Sequence, residues 1–251
     1  MGLLPKFIDD AAGPPAQSVG NTLSNLWELG VGNHVALWIK KQEVRQQQNL
    51  QDYVKKVEEK TQEIPEEFIQ EPSLHIVGPA IEASKYYIES EELREMFANL
   101  IASSIDNRKN DKIHPSFVEI IKQLSVLDAQ ILSLYRDLLR IPIAQIIIKK
   151  QTHEYRITQV HVIDFTHSEN YKSYASSLSN LQRLGLLSID YSSQTNYDSA
   201  YDFIEDHPAF REAHELMIEL QRTDPEYNEV SSKKGITTRT PLCEDFISVC
   251  L

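Results

Sequence analysis

Between Leu93 and Leu124 the apolar residues fall into two runs of helical period, with a gap that admits only a turn. Leu93, Met96, Phe97, Leu100, Ile101 and Ile105 follow the i, i+3, i+4 spacing of one helix face, and Phe117, Ile120, Ile121 and Leu124 repeat it. Each run predicts a short amphipathic helix with one side that must be buried. Asp106-Asn107-Arg108-Lys109-Asn110-Asp111-Lys112, between them, has no apolar residue. Pro115 cannot extend a preceding helix, and Ser116 with Glu119 fits a capping box for the second one.

A chain of 251 residues can bury a full core and hold one large domain or two modest ones. Its two cysteines, Cys243 and Cys250, make neither a disulfide framework nor a zinc spacing. They stand about 10 Å apart along one predicted helix, too far to bond to each other, and a buried thiol is the default for Cys250. The first residues lack the apolar core of a secretory signal, and Lys6 stands where a myristoylation motif wants Ser or Thr. A cytoplasmic protein is expected.

The stretch from Ala11 to Ile39 holds one charged residue, Glu28, and both tryptophans, Trp27 and Trp38, three helical turns apart. Glycines at 13, 20, 30 and 32 interrupt it, so it reads as one or two short helices with a weak point at Gly30-Val31-Gly32. From Lys40 to Lys60 the composition turns to Lys, Glu and Gln. Leu50, Tyr53, Val54 and Val57 form a thin stripe there, predicting a solvated helix with a narrow docking edge. Residues 63–73, with Pro65 and Pro72, read as an acidic linker or short helical turn, and a helix is expected to start at Pro79.

Beyond Leu124 the pattern changes class. Ser125 to Asp128 opens a helix carrying Leu127, Ile131, Leu134, Tyr135 and Leu138, closed by Ile141-Pro142. Residues 143–148 and 155–165 are β-branched or alternating and predict short strands. Tyr171, Tyr174, Leu178, Leu181 and Leu184 make a helical stripe that Gly185 stops, and a strand follows at 186–191. A long acidic excursion with a helix near 208–221 precedes a strand at 236–239 and a last helix at 241–249. Helix, helix, strand, excursion, strand is the order of a winged-helix module with an enlarged wing. The expected fold is therefore mainly α with a small α+β part: an N-terminal helical bundle over 1–124, then a winged-helix-like region over 125–251.

Three kinds of chemistry find some support in the residues. A nucleic-acid reading places residues 170–184 in a major groove, with Lys172, Asn180, Gln182 and Arg183 as its contacts and Glu169 opposing them. The formal charge of −12 disfavours it, although residues 120–191 are the only third without acidic excess. A membrane reading uses residues 11–39, anchored by Trp27 and Trp38. Asn21, Asn25, Glu28, Asn33 and His34 interrupt that stretch too often for a span, so it would lie on a bilayer, and a helix pair packed on the domain is the simpler expectation. For an enzyme there is no phosphate loop, dinucleotide fingerprint, H-E-x-x-H or C-x-x-C. His161, Asp164 and His167 are the densest donor cluster, but a strand would send them to alternating faces. His114 most simply helps cap the helix after Pro115, and His207 and His214 are expected to be structural. No catalytic, cofactor-binding or metal-binding residue is expected. Tyr86 and Tyr87 could line a contact surface but more often straddle a core edge.

The wording of Glu92-Leu93-Arg94-Glu95-Met96-Phe97-Ala98-Asn99-Leu100-Ile101-Ala102-Ser103 and of Ile113-His114-Pro115-Ser116-Phe117-Val118-Glu119-Ile120-Ile121-Lys122-Gln123-Leu124 resembles the abortive infection alpha proteins, a bacterial family linked to phage defence. The resemblance is strongest from Gly78 to Ser125. Looser echoes appear in Leu181-Gln182-Arg183-Leu184-Gly185-Leu186-Leu187, in Ile236-Thr237 and from Thr240 to Phe246. A glycine often stands in the family where this chain has Cys243. Residues 1–75 match only in general character, and residues 76–124 hold the family-like helices. The resemblance implies a role in defence and brings no catalytic residues with it. The function expected is an abortive-infection-type antiviral protein acting through protein or assembly contacts, with no small-molecule substrate. A nucleic-acid-binding regulator and a conditional membrane disruptor are the rivals.

Overall fold

The computed structural model describes residue 7 and residues 13–32, 44–152, 154–164 and 170–251. The chain is mostly helical, with one four-stranded antiparallel sheet. It divides into two compact units. The first is Met1–Gln130 with Glu244–Leu251, and the second is Ile131–Cys243. The observed divide lies at Gln130, and the final residues belong with the first unit.

The first unit holds α1 (Pro14–Trp27) with a π-helical turn at Glu28–Gly32, α2 (Val44–Gln62), α3 (Leu74–Ser84), α4 (Glu91–Ser104) and α5 (Ser116–Lys122). In α4, Leu93, Met96, Phe97, Leu100 and Ile101 are buried as the spacing requires, and the Ser90 hydroxyl accepts the Leu93 N–H at 3.3 Å. Glu95 joins α4 to α2 by accepting from Lys56 at 2.9 Å and Lys60 at 2.5 Å. Asp106 ends the α4 turn. Its carboxylate takes the Arg108 N–H at 3.0 Å and the guanidinium at 2.8 and 2.7 Å, which holds its carboxyl below the ordinary range.

Two helix starts differ from those the spacing predicts. Helix α3 begins at Leu74 and carries Pro79 inside it. The proline's fixed φ suits a helix, but its nitrogen cannot donate to the His75 carbonyl and its ring crowds that same carbonyl. Ser116 is already the first residue of α5 and cannot cap it. The His114 ring accepts the Ser116 N–H at 3.1 Å instead, while Lys122 holds Glu119 at 2.8 Å.

In the second unit, β1 (Arg140–Lys150), β2 (Tyr155–Val162), β3 (Leu187–Asp190) and β4 (Tyr227–Arg239) form a sheet of order β2-β1-β4-β3. Helix α6 (Val126–Leu134) enters the unit and stops well short of Ile141, because Arg140 onward pairs with β4 from Thr238 down. Strand β4 is far longer than the 236–239 expected. Between the strands run α7 (Tyr171–Arg183), α8 (Phe203–Asp206) and α9 (Pro208–Gln221), and α10 (Pro241–Cys250) follows β4. Alternate residues of β1, namely Ala144, Ile146 and Ile148, bury against Tyr171, Tyr201, Phe203 and Ile204, with Ala209 and Ala213 of α9 behind them. The opposite face is tied by Tyr135, whose hydroxyl meets Thr237 at 3.1 Å.

Candidate functional site

Helix α7 is the element the sequence singled out for recognition. Its inward stripe is Tyr171, Ala175, Leu178 and Leu181, all buried. Its end is a Schellman motif: the Leu186 N–H donates to the Leu181 carbonyl at 3.0 Å and the Gly185 N–H to Gln182 at 3.0 Å, with Gly185 at φ 75°. A side chain at 185 would sit in the left-handed region that L-residues avoid. The motif sends the chain straight into β3, leaving one face of α7 outward.

On that face Lys172, Ser173, Ser176, Ser179 and Arg183 are exposed. The structure places all four nominated contacts on α7 but brings only two together. Arg183 donates to the Asn180 carboxamide oxygen through Nε at 3.2 Å and Nη2 at 2.8 Å. Gln182 points about 160° round the helix from Asn180. Lys172 lies about 16 Å along the axis from Arg183, and its ammonium is 2.8 Å from Glu212 of α9. The ammonium, with help from the Tyr171 hydroxyl, holds the Glu212 carboxyl below its ordinary value. Glu212 was not anticipated, because nothing local in the sequence ties residue 212 to residue 172. Glu169 lies outside the described residues.

A second cluster was also missed. Tyr191, just past β3, crosses Gly235 of β4, and its hydroxyl lies 2.6 Å from Nδ1 of His161 on β2. The two rings stack nearly parallel at 13°, and the Lys233 ammonium sits 5.8 Å from the Tyr191 centroid. Burial pushes His161 below the ordinary histidine value and Tyr191 above the ordinary phenol value. Both shifts favour neutral rings joined by a hydrogen bond. Asp164 is exposed, and His167 lies outside the described residues.

The remaining nominated residues have structural partners. The His207 ring accepts the Ala209 N–H at 3.1 Å and meets Tyr171 edge-on. His214 packs on Phe210. Tyr87 donates to the Lys122 carbonyl at 2.7 Å, whereas Tyr86 is exposed beneath the Lys85 ammonium. Both cysteines are buried, and burial pushes the Cys250 thiol well up. Among the described residues no three His, Cys, Asp or Glu side chains gather as a metal set. Trp27 is 3% exposed between Phe7 and Tyr53, with centroids at 5.7 and 5.6 Å. Trp38 lies outside the described residues. No helix among the described residues is long and apolar enough to cross a membrane.

These elements define a mixed protein, helical for most of its length, with one antiparallel sheet. The model of the abortive infection alpha family matches residues 45–250, and the chain belongs to that family. The match covers Gly78 to Ser125 and the looser echoes beyond it, and leaves α1 before it. No curated protein matches the chain. One similar solved structure is that of the uncharacterized protein from the hydrocarbon-degrading marine bacterium Alcanivorax borkumensis SK2. The likeness covers 57% of this chain and 94% of that one, with 15% identity and a TM-score of 0.37.

Proposed function

We propose that this protein is an antiviral factor of the abortive infection type that works through contact surfaces, with its second unit holding a macromolecular partner. Family membership supports the defence role. The reading of the second unit starts from strand order. Strands β1, β4 and β3 lie side by side with α7 leading into β3, which is the order of a winged helix, and β2 is added at the outer edge. The segment between β3 and β4 is an enlarged wing built around α9.

The observation that favours a protein partner over nucleic acid is the pairing of Lys172 with Glu212. A groove-reading helix needs free cations on its outward face. Here the wing supplies a carboxylate to the first cation, and Arg183 is folded onto its own helix. What α7 offers is a row of exposed serines with an ion pair at one end and a guanidinium held by a neutral carboxamide at the other, a surface suited to a polar protein contact.

Phage plating on cells carrying the intact gene, or the gene with Lys172→Glu and Arg183→Glu together, tests the reading. Protection by the intact gene that falls with the double change is expected. Absence of protection by the intact gene across a broad phage panel would remove the defence role.

A further inference from the structure

We infer that α1 and the π-helical turn after it are a releasable strap, and that its apolar stripe binds a lipid surface once it leaves the fold. Ala16, Val19, Leu23, Trp27 and Val31 lie along one side of this segment, each at most 3% exposed. Trp27 packs on Tyr53 of α2, and Gly30 approaches Ile81 of α3. That is the pattern of a helix that must cover its stripe, whatever does the covering.

The fastening is mainly the burial of this stripe. Helix α1 has no charged residue and so forms no ion pair. The Ser18 and Thr22 hydroxyls donate to Glu71 at 2.6 and 3.2 Å, both at the surface, and Lys85 donates to the Gly30 carbonyl at 3.4 Å. The helix does not sustain itself. Gly20, Asn21, Thr22, Ser24 and Asn25 are weak helix formers, no side chain caps its start, and it ends in a π-helical turn. Docking of the stripe is what makes it helical, and a bilayer interface can do the same. The strap also precedes the residues matched by the family.

Its chemistry indicates the partner. From Ala11 to Ile39 the only charge is Glu28, so the stripe can enter the headgroup boundary without desolvating a cation or carboxylate beyond that one. Leu29, on the side away from the stripe, is 72% exposed. The contact is made by apolar burial. It is therefore expected to persist on zwitterionic lipid and at high salt, where a net charge of −12 is screened from any anionic headgroups.

The test uses the full chain with vesicles of brominated phosphatidylcholine, with and without phosphatidylglycerol. Both tryptophans stand at 27 and 38, so quenching of their emission reports on this stretch alone. A Cβ at residue 30 would lie 3.8 Å from the Glu82 Cα, so Gly30→Cys with Glu82→Cys locks the strap on oxidation. Quenching by both vesicle types is expected, falling roughly ten-fold or more when the lock is closed and returning on reduction. Ser18→Ala with Thr22→Ala, which removes the Glu71 fasteners, should raise it. No quenching with either vesicle, or equal quenching locked and unlocked, overturns the inference. So does cross-linking between separate Gly30→Cys and Glu82→Cys chains without lipid, which would make a second copy the partner. The strap deepens the defence reading, and vesicle binding is measured without phage, so either can fail alone.

Discussion

The ring of Phe246 meets the ring of Phe117 edge-on, with centroids 5.2 Å apart and planes at 86°. Around that contact the end of α10 is held by side chains. Asn99 donates to the Cys250 carbonyl at 3.0 Å, Ser103 to Val249 at 3.0 Å and Lys109 to Ser248 at 2.7 Å. The last carbonyls of a helix have no partner within it, and here α4 and the turn after it supply them. This is why the final residues belong with the first unit.

Phe246→Ala removes a fully buried ring and should cost about 3–5 kcal/mol. At roughly 2–4 °C per kcal/mol for a chain of this size, the melting temperature should fall by about 10 °C. A calorimetric shift below about 2 °C would show that the ring contributes little packing.

Gly235→Ala places a methyl 2.6 Å from the Tyr191 ring and 2.7 Å from the Asp190 carbonyl. The expected destabilisation is about 1–3 kcal/mol, measured by urea unfolding. Adding Tyr191→Ala should restore only part of it, because the carbonyl belongs to the paired backbone of β3. Full restoration would mean that the ring alone decides the glycine.

His161 titrates lower in the fold than in the unfolded chain because burial disfavours its charged form. Its contribution to stability is complete above the unfolded value of 6.5 and is lost as pH falls from there through the folded value. Stability should therefore rise with pH across this window, and His161→Gln should flatten that slope. An imidazole midpoint at or above 6.5 by NMR would contradict the burial argument.

The intact protein should not retard duplex DNA or RNA in gels even below about 50 mM salt, where phosphate attraction is strongest. Glu212→Ala frees the Lys172 ammonium and should change this little, since one cation cannot offset the acidic remainder. Retardation by the intact chain that is lost with Lys172→Glu and Arg183→Glu would favour the groove-reading alternative.

Helices were readable wherever an apolar stripe kept the 3.6-residue period, as in Glu91–Ser104, Tyr171–Arg183 and Pro208–Gln221. Strand β4 was readable only at its end. Its first part, from Tyr227 to Lys234, alternates weakly and is extended because it pairs along β1 from Lys150 to Ala144. The outward residues of α7 were likewise readable, but the carboxylate that neutralises Lys172 was not.

Period, proline and glycine act over a few residues, so the sequence alone determined that helices run through the apolar stripes, which faces they hide and that Gly185 ends α7, but not the start of α3 or the end of α6. Tertiary structure alone decided which distant groups meet: Phe246 on Phe117, Glu212 on Lys172, Tyr191 over Gly235 against His161. Such pairings depend on how long loops close and how whole surfaces fit, and a local spacing carries no record of either.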